Sequence, residues 1–577
     1  MNSISSAVIA SLDDPLYYLA NFRFVLGWVR EHHAGLLTPR ERQSIDAFAL
    51  LPEASQALLV RMVMRKGELF RTDKLAYVEI GDTQDALAPL VDGGWVEADP
   101  ELEFAELFRL LRLAELRQAL ADEIADAELS PRASKAALGD VLEPLLPRRQ
   151  RLEQWWAEAP AALAGERIVR LAVMPWCDRL RLMFFGNLRQ DWAEFVLTEL
   201  GVQRFEQVEL KPGSHAFQRR EEVDIYLKLH ELRERLEQGE APEELAAEMP
   251  AVPAENAWLG QRRGRLLYRL GQAAERVGNA ALALRLYAEG GAGAGGQVEA
   301  RIRRLRLLER LGEHGQAHDL AAPAFAAPVC EQERQALARL LPRLCRRLGL
   351  AAPAQEPGAE LQRLELSLAL PADAGTLRVE QAVARHLGSP DAPVHYVENT
   401  LICGLFGLLC WPALFAPLPG AFFHPFHAGP ADLYRDDFVS RRSDRFDACL
   451  ARLDDGTHGE VIRKTWHEKH GTASPFLYWE ALDESLLELA LACMPAAHLR
   501  VCFERLLADL KVNRAGLPDL IQFFPGAGVG EPRYRLIEVK GPGDRLQDNQ
   551  RRWLAFFQAQ GIEAVVCHVT WQQGEAS

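Results

Sequence analysis

The sequence is poor in the features that would settle its class at a glance. None of its nine cysteines makes a Cys-x-x-Cys pair: Cys177, Cys330, Cys345, Cys403, Cys410, Cys449, Cys493, Cys502 and Cys567 are scattered along 577 residues. An odd, dispersed set reads as buried thiols in a reducing cytosol. No apolar run approaches the about 20 residues that a membrane span needs. The start, Met1 to Asp13, has neither a basic nor an apolar signal region, so no membrane partner is expected. The absence of Gly-x-x-x-x-Gly-Lys-Ser/Thr excludes a P-loop ATPase or helicase engine. His467-Glu468-Lys469-His470 is one residue short of the zinc-protease signature. His424-Pro425-Phe426-His427 has no cysteine pair near it and reads as loop histidines.

Positive charge is also in deficit. Lysine and arginine number 66 against 81 aspartates and glutamates, a formal charge of −15. In bulk that argues against nucleic acid, but binding follows local basic surface, because each neutralised phosphate releases counterions. Locally the balance reverses at Arg262, Arg263, Arg265, Arg269 and Arg276, and again at Arg301, Arg303, Arg304, Arg306 and Arg310. Two readings stand: solvated helix faces, or a DNA surface for which Arg262, Arg263, Arg303 and Arg304 are the candidates.

A chain of this length holds three to five domains by the usual sizes. Residues 1–97 carry aromatic and aliphatic residues at helical spacing over Tyr17 to His32 and Pro52 to Arg65. Gly93-Gly94-Trp95-Val96 then turns into a strand, which suits a winged-helix-like domain. Residues 98–165 hold short helices that resemble an SAP module, a small DNA-binding unit, with Ser134 as a helix cap. Residues 166–355 form a helical linker and tetratricopeptide-like domain. Arg181 to Leu200 is expected to be one helix, with Arg189 in the polar stretch Gly186 to Asp191. Arg276-Val277-Gly278, followed by Ala283, recurs as Arg310-Leu311-Gly312 and Ala317 at the tetratricopeptide period. Glycine allows the tight turn there and alanine the close helix approach. Gly290 to Gly296 follows a helix and is a loop, not a phosphate cradle. Ala351 to Gly358 is a linker to the last domain, 356–577, with a helical insertion about 412–500.

The most informative residues lie near the end. Gly516-Leu517-Pro518-Asp519 opens an apolar strand, Pro525 to Pro532 is a hairpin loop, and Arg533 to Val539 returns. Glu538 and Lys540 share a face because strand side chains alternate, and Asp519 can meet Glu538 across the pair. Two carboxylates and the Val539 carbonyl offer hard oxygen ligands to Mg²⁺ or Mn²⁺, as one or two ions. Such a cation neutralises a scissile phosphate and activates water, while Lys540 adds positive charge. Gln550, on a helix expected over Asp544 to Gln560, can hold a water or a phosphate oxygen. The set points to a metal-dependent phosphodiesterase with Asp519, Glu538, Lys540 and Gln550 as its catalytic residues.

These residues resemble the VRR-NUC domain, a branch of the PD-(D/E)xK nucleases. Gly541-Pro542-Gly543-Asp544-Arg545-Leu546, Gln550, Trp553, Val566-Cys567-His568-Val569, Ser440-Arg441-Arg442 and Thr465-Trp466-His467-Glu468 are similar to the Fanconi-associated nuclease family. The resemblance implies mostly α-helical arms and a C-terminal α/β PD-(D/E)xK nuclease core. It implies an upstream metal ligand, Glu398 of His395-Tyr396-Val397-Glu398, beside Asp519, Glu538 and Val539, with Lys540 catalytic. Lys511 and Arg514 fall where the family places basic residues near DNA. The implied activity is Mg²⁺/Mn²⁺-dependent cutting near 5′ flaps, with 5′-to-3′ exonuclease action, in interstrand-crosslink repair. The implied partner is branched or 5′-flap DNA, and the protein is expected as a monomer or weak dimer. No cysteine-rich ubiquitin-binding zinc finger opens the chain, so a bacterial origin and a nucleoid-associated, cytoplasmic location are expected, or a nuclear one if the source is eukaryotic. The rival readings are a Holliday-junction resolvase and a non-catalytic DNA-binding scaffold.

Overall fold

The computed structural model describes residues 14–130, 132–155, 166–190, 192, 204–210, 214–292, 296–353, 361–369, 378–528 and 530–572. The second half of the helix expected over 181–200 and most of the linker 351–358 lie outside them. The chain divides into two compact units. One holds the described residues up to Arg204, with 214–223 and Phe423–Phe426. The other holds Phe205–Leu210, Asp224–Phe422 and the described residues from His427 onward.

In the first unit Tyr17–His32 is a helix that buries Tyr18, Leu19, Phe22, Val25, Leu26 and Val29 on one face. Pro39–Leu50 follows a capping box in which Thr38 and Glu41 satisfy each other's backbone donors. The helix expected from Pro52 runs over Glu53–Val63, with Pro52 at its cap. Strand β1 (Leu69–Arg71), the helix Thr83–Asp92 and strand β2 (Val96–Ala98) come next. Strands β3 (Leu102–Glu103) and β4 (Arg149–Gln150) pair antiparallel around short helices. Those helices bury Leu107, Leu116, Leu138 and Trp155, and the Ser134 hydroxyl caps Lys135–Leu142 by accepting from the Ala137 amide at 3.2 Å.

Strand β5 (Ile168–Leu171) then pairs antiparallel with both β1 and β2, giving the order β1-β5-β2. Strand β5 thus adds to the N-terminal sheet from outside the segment 1–97. The central strand of the N-terminal sheet comes from beyond the SAP-like segment, and the expected 166–355 domain is split between the two units. Four residues carry too little periodicity to announce this strand. The helix that follows, Met174–Phe185, stops at Gly186, which sits at φ +68 where a side chain would collide with Phe423 and Ala216. One continuous helix from Arg181 to Leu200 is thus ruled out.

In the second unit, paired helices span Ala257–Arg276, Ala280–Gly290, Val298–Arg310, His314–Ala326 and Glu331–Leu348. The repeat is structural: Gly278 and Gly312 adopt φ +84 and +83, and Ala283 and Ala317 are fully buried where helices meet.

A five-stranded sheet follows, formed by β6 (Gln362–Ala369), β7 (Val394–Tyr396), β8 (Leu520–Phe523), β9 (Tyr534–Lys540) and β10 (Ala564–Gln572). Its order is β6-β10-β9-β8-β7, with β10 parallel to β6 and β9, and β8 antiparallel to β9 and β7. Helices from Leu401 to Ala508 are inserted between β7 and β8. One face of the sheet (Ile521, Phe523, Leu536) packs on those helices and on Trp553 and Phe557. The other (Leu520, Ile537, Val539, Cys567) packs on Val383 of the helix Val379–Leu387. The C-terminal helix is shorter than expected, Asp548–Ala559. All nine cysteines are free thiols and eight are buried. No single helix among the described residues is long and apolar enough to cross a membrane.

Candidate active site

The hairpin register puts Leu520 opposite Ile537, so Asp519, one residue earlier, lies beside Glu538 and Val539. The Asp519 carboxylate (Oδ2) accepts a hydrogen bond from the Val539 amide at 2.8 Å. Its own carbonyl accepts from the Val397 amide at 2.8 Å, tying β7 to the same point. Glu538 and Lys540 share a face, and the Lys540 ammonium (Nζ) stands 2.7 Å from Glu538 Oε1. The Glu538 side chain is 0% exposed and that of Lys540 10%.

Burial with so few donors makes this pair unusual. Apart from the Lys540 ion pair, neither Glu538 oxygen has a hydrogen-bond partner. A buried carboxylate left so is costly unless something else satisfies it. Burial pushes the Glu538 carboxyl up to about 7, and the Asp519 charge adds to the rise, while Lys540 opposes it. Burial likewise pushes Asp519 up to about 6, against the Val539 hydrogen bond and Lys540. Perturbed acids in such a setting mark functional sites more often than structural ones. The donor set, two carboxylates and the Val539 carbonyl, with the buried Glu538 Oε2 lacking a partner among the described residues, fits a hard divalent cation.

Glu398 behaves differently from expectation. It is exposed, and its carboxylate accepts from the Tyr396 hydroxyl and, at 3.4 Å, from the Asn399 amide. Its charge still raises both other acids. Among the described residues no three His, Cys, Asp or Glu side chains close to metal-ligand geometry. A grip by three acids is therefore not assembled here: the Tyr396 phenol holds the third carboxylate.

Gln550 has a structural part as well. Its side-chain carbonyl accepts from the Gln547 amide at 2.8 Å in a capping box, so one end of the amide is spent on starting its helix. Of the basic candidates, Arg263 pairs with Glu289 and donates to the Pro250 carbonyl at 2.9 Å. Arg303 pairs with Glu275 at 2.9 Å. Internal acids thus occupy two guanidinium groups expected to meet phosphate. Arg262 stacks on Tyr226 and Trp258, with centroids 4.2 and 4.8 Å away. Arg304 is half-buried. Arg514 is half-buried too, donating to the Tyr434 hydroxyl and the Pro475 carbonyl over the Phe476 ring. Lys511 is exposed, on the rim of a cavity of about 770 Å³ with Arg265 and Arg435.

The sequence reading passed over Tyr396 and Asn399. Asn399 takes φ +55 just before the helix Leu401–Leu409, and its side-chain oxygen accepts from the Leu517 amide at 3.1 Å. Asparagine tolerates that region best among residues with a side chain, which was the available signal.

Three domain families match the chain: "FAN1, HTH domain" over 16–97, "Fanconi anemia-associated nuclease SAP domain" over 101–155, and "VRR-NUC domain" over 454–571. A Fanconi-associated nuclease 1 homolog of Pseudomonas aeruginosa is 52% identical, with 97% of each chain covered. The chain belongs to the Fanconi-associated nuclease family. Human Fanconi-associated nuclease 1 is 24% identical over 96% of this chain, which spans 62% of that relative's length. The fold superposes on crystal structures of paFAN1, 52% identical, bound to 2nt and to 1nt 5′-flap DNA with gap. Their TM-scores are 0.91 and 0.90, covering 98% and 97% of this chain and 100% of each. As a member of a nuclease family, the chain carries nuclease chemistry on a helical scaffold. The family-like Ser440-Arg441-Arg442 has a structural part in it: Arg442 is fully buried, forked onto Asp432 by two bonds of 2.9 Å and laid on the Phe438 ring.

Proposed function

We propose that this protein is a divalent-cation-dependent DNA nuclease that cuts near 5′ flaps, with 5′-to-3′ exonuclease action, in the repair of interstrand crosslinks. The observation that carries the reading is the buried Asp519–Glu538–Lys540 set, in which Lys540 is the one group paired with Glu538 among the described residues. The 5′-flap DNA in the similar paFAN1 structures supports the choice of substrate.

Asp519, Glu538 and the Val539 carbonyl would hold Mg²⁺ or Mn²⁺, with Glu398 joining once it leaves Tyr396. The bound ion supplies positive charge to the scissile phosphate and acidity to its water. The rest falls to the chain. The Val539 amide fixes the Asp519 carboxylate. Burial keeps competing water from Glu538. Lys540, already charge-paired at 2.7 Å, is placed to neutralise the negative charge that builds on the phosphate during attack. The site of action is wherever chromosomal DNA lies, the bacterial nucleoid or a nucleus.

The test is cleavage of an end-labelled 5′-flap duplex with Mg²⁺, with Mn²⁺ and with EDTA. Wild type is expected to cut only with metal, and Asp519→Asn, Glu538→Gln and Lys540→Ala to lose roughly 10²-fold or more. Equal cutting by wild type and Asp519→Asn would overturn the site. Binding without cutting by wild type would favour a scaffold.

A further inference from the structure

The sheet face that carries the catalytic residues continues past them. Glu538 and Lys540 of β9 stand in register with Val566 and His568 of β10, and Val566 and His568 with Arg363 and Glu365 of β6. Paired residues on parallel strands point to one side, and neighbouring strands are about 4.8 Å apart. His568 is therefore one strand from Lys540 and Arg363 two strands from Glu538, all on one face.

At that edge the sheet, the Gly541–Gln547 loop and the C-terminal helix surround a cavity of about 1030 Å³. Arg363 of β6, Arg545 of the loop, Arg551 of the helix and His568 of β10 line it. Its one carboxylate is Asp544, whose Oδ2 is taken by the Gly541 amide at 3.0 Å. Glu365 stands beside His568 on β6 but does not line the cavity.

These arginines differ from many others in the chain, which are held by acids. Arg303, Arg310, Arg343, Arg442, Arg463 and Arg500 all sit on acids. Arg363, Arg545 and Arg551 are exposed and have no ion pair or side-chain hydrogen bond among the described residues. In a chain of formal charge −15, three unneutralised guanidinium groups around one cavity stand out. Guanidinium forks match phosphate oxygens, and this cavity is polar and open, so a phosphate fits it better than an apolar ligand.

We propose that Arg363, Arg545 and Arg551 form a phosphate subsite that seats the nucleic-acid strand where it leaves the catalytic carboxylates. It rests on the nuclease reading and adds to it. The scissile phosphate sits at Asp519 and Glu538, and a phosphate further along the same strand sits over β10 and β6. The strand then crosses the sheet in one direction, which fixes which side of the flap faces Lys540. Backbone phosphodiesters and a terminal phosphate share this chemistry.

The test uses the full chain in EDTA, so that nothing is cut, with labelled 5′-flap duplexes ending in phosphate or hydroxyl. Dissociation constants are measured across a salt series for wild type, Arg545→Gln, Arg551→Gln and the double variant. Each lost phosphate contact is expected to flatten the slope of log K against log salt by roughly 0.9 and to weaken binding several-fold at low salt. Arg551→Lys is expected to keep the slope. Equal losses on both duplexes assign the subsite to backbone phosphodiesters, and a loss confined to the phosphorylated end assigns it to the terminus. Unchanged slopes in the folded double variant, checked by its melting temperature, would overturn the proposal. If wild type cuts no DNA with metal yet the slopes change, the nuclease reading falls and the subsite stands. Cutting with unchanged slopes sinks the subsite alone.

Discussion

At the scale of single residues the protein places charge where water is scarce and leaves some of it uncompensated. Asp519 and Glu538 hold their protons to about 6 and about 7, against ordinary values of 3.8 and 4.5. Lys540 faces them with the opposite sign, while Glu398 and, for Asp519, Glu380 add to the repulsion. At these two sites the folded chain therefore binds more protons than the unfolded one between those limits. Without metal, the stability that these two acids contribute is greatest below the ordinary carboxylate range and falls as pH rises through about 7. Glu538→Gln removes one titrating acid, so the loss between about pH 5 and pH 8 is expected to shrink by on the order of 2 kcal/mol. Urea melts of the metal-free protein at the two pH values read this directly. The opposite sign would mean that the acids are stabilised in their charged form. A second buried charge is compensated in full. Removing Asp432 by Asp432→Ala strands the Arg442 guanidinium in the core, and about 3–5 kcal/mol of stability is expected to go with it. Thermal denaturation against Arg452→Ala, on an exposed pair, is the comparison.

At the scale of elements, the paired helices depend on two glycines in equivalent turns. Gly278→Ala and Gly312→Ala each force a side chain into φ above +80 and are expected to cost about 1 kcal/mol, measured as a shift in denaturant midpoint. Those turns were legible because glycine, arginine and alanine recur at one spacing. So was the hairpin around Pro525 to Pro532, since a proline- and glycine-rich loop separates two apolar runs. β5 was not legible: Ile168–Leu171 is short and reads as strand only beside β1 and β2. Nor was the capping use of Gln550, because a glutamine at the start of a helix looks the same whether it caps or binds. The partners of Arg263 and Arg303 were hidden for a related reason. Glu289 and Glu275 lie on neighbouring turns and helices, and side-chain pairing across a helix stack leaves no trace in a local charge count.

At the scale of the whole molecule, two bulk quantities have consequences. A formal charge of −15 repels DNA at long range, so binding must come from local basic surface and weaken steeply with salt. Titrating flap binding from low to physiological salt is expected to lose affinity by orders of magnitude. A salt-independent affinity would mean that phosphate contacts are not what holds the substrate. The thiols give a second check. Eight of the nine are buried and Cys330 is half-buried, so a thiol reagent is expected to label Cys330 first in the native chain and all nine after unfolding.

The sequence alone determined that an acid opens one strand, that Glu-Val-Lys closes its neighbour, and that helices pair at a fixed period. Those patterns are local: alternation and turn chemistry act between residues a few positions apart. Only the tertiary structure decided that β5 completes a distant sheet and that Tyr396 takes the Glu398 carboxylate. It also decided that Glu538 is sealed from water and that three arginines around one cavity beside β10 have no ion pair among the described residues. Each of these depends on what is brought near, and on how much water is excluded when it arrives. Free energies of burial and charge pairing belong to neighbourhoods in space, and the order of residues along the chain does not list them.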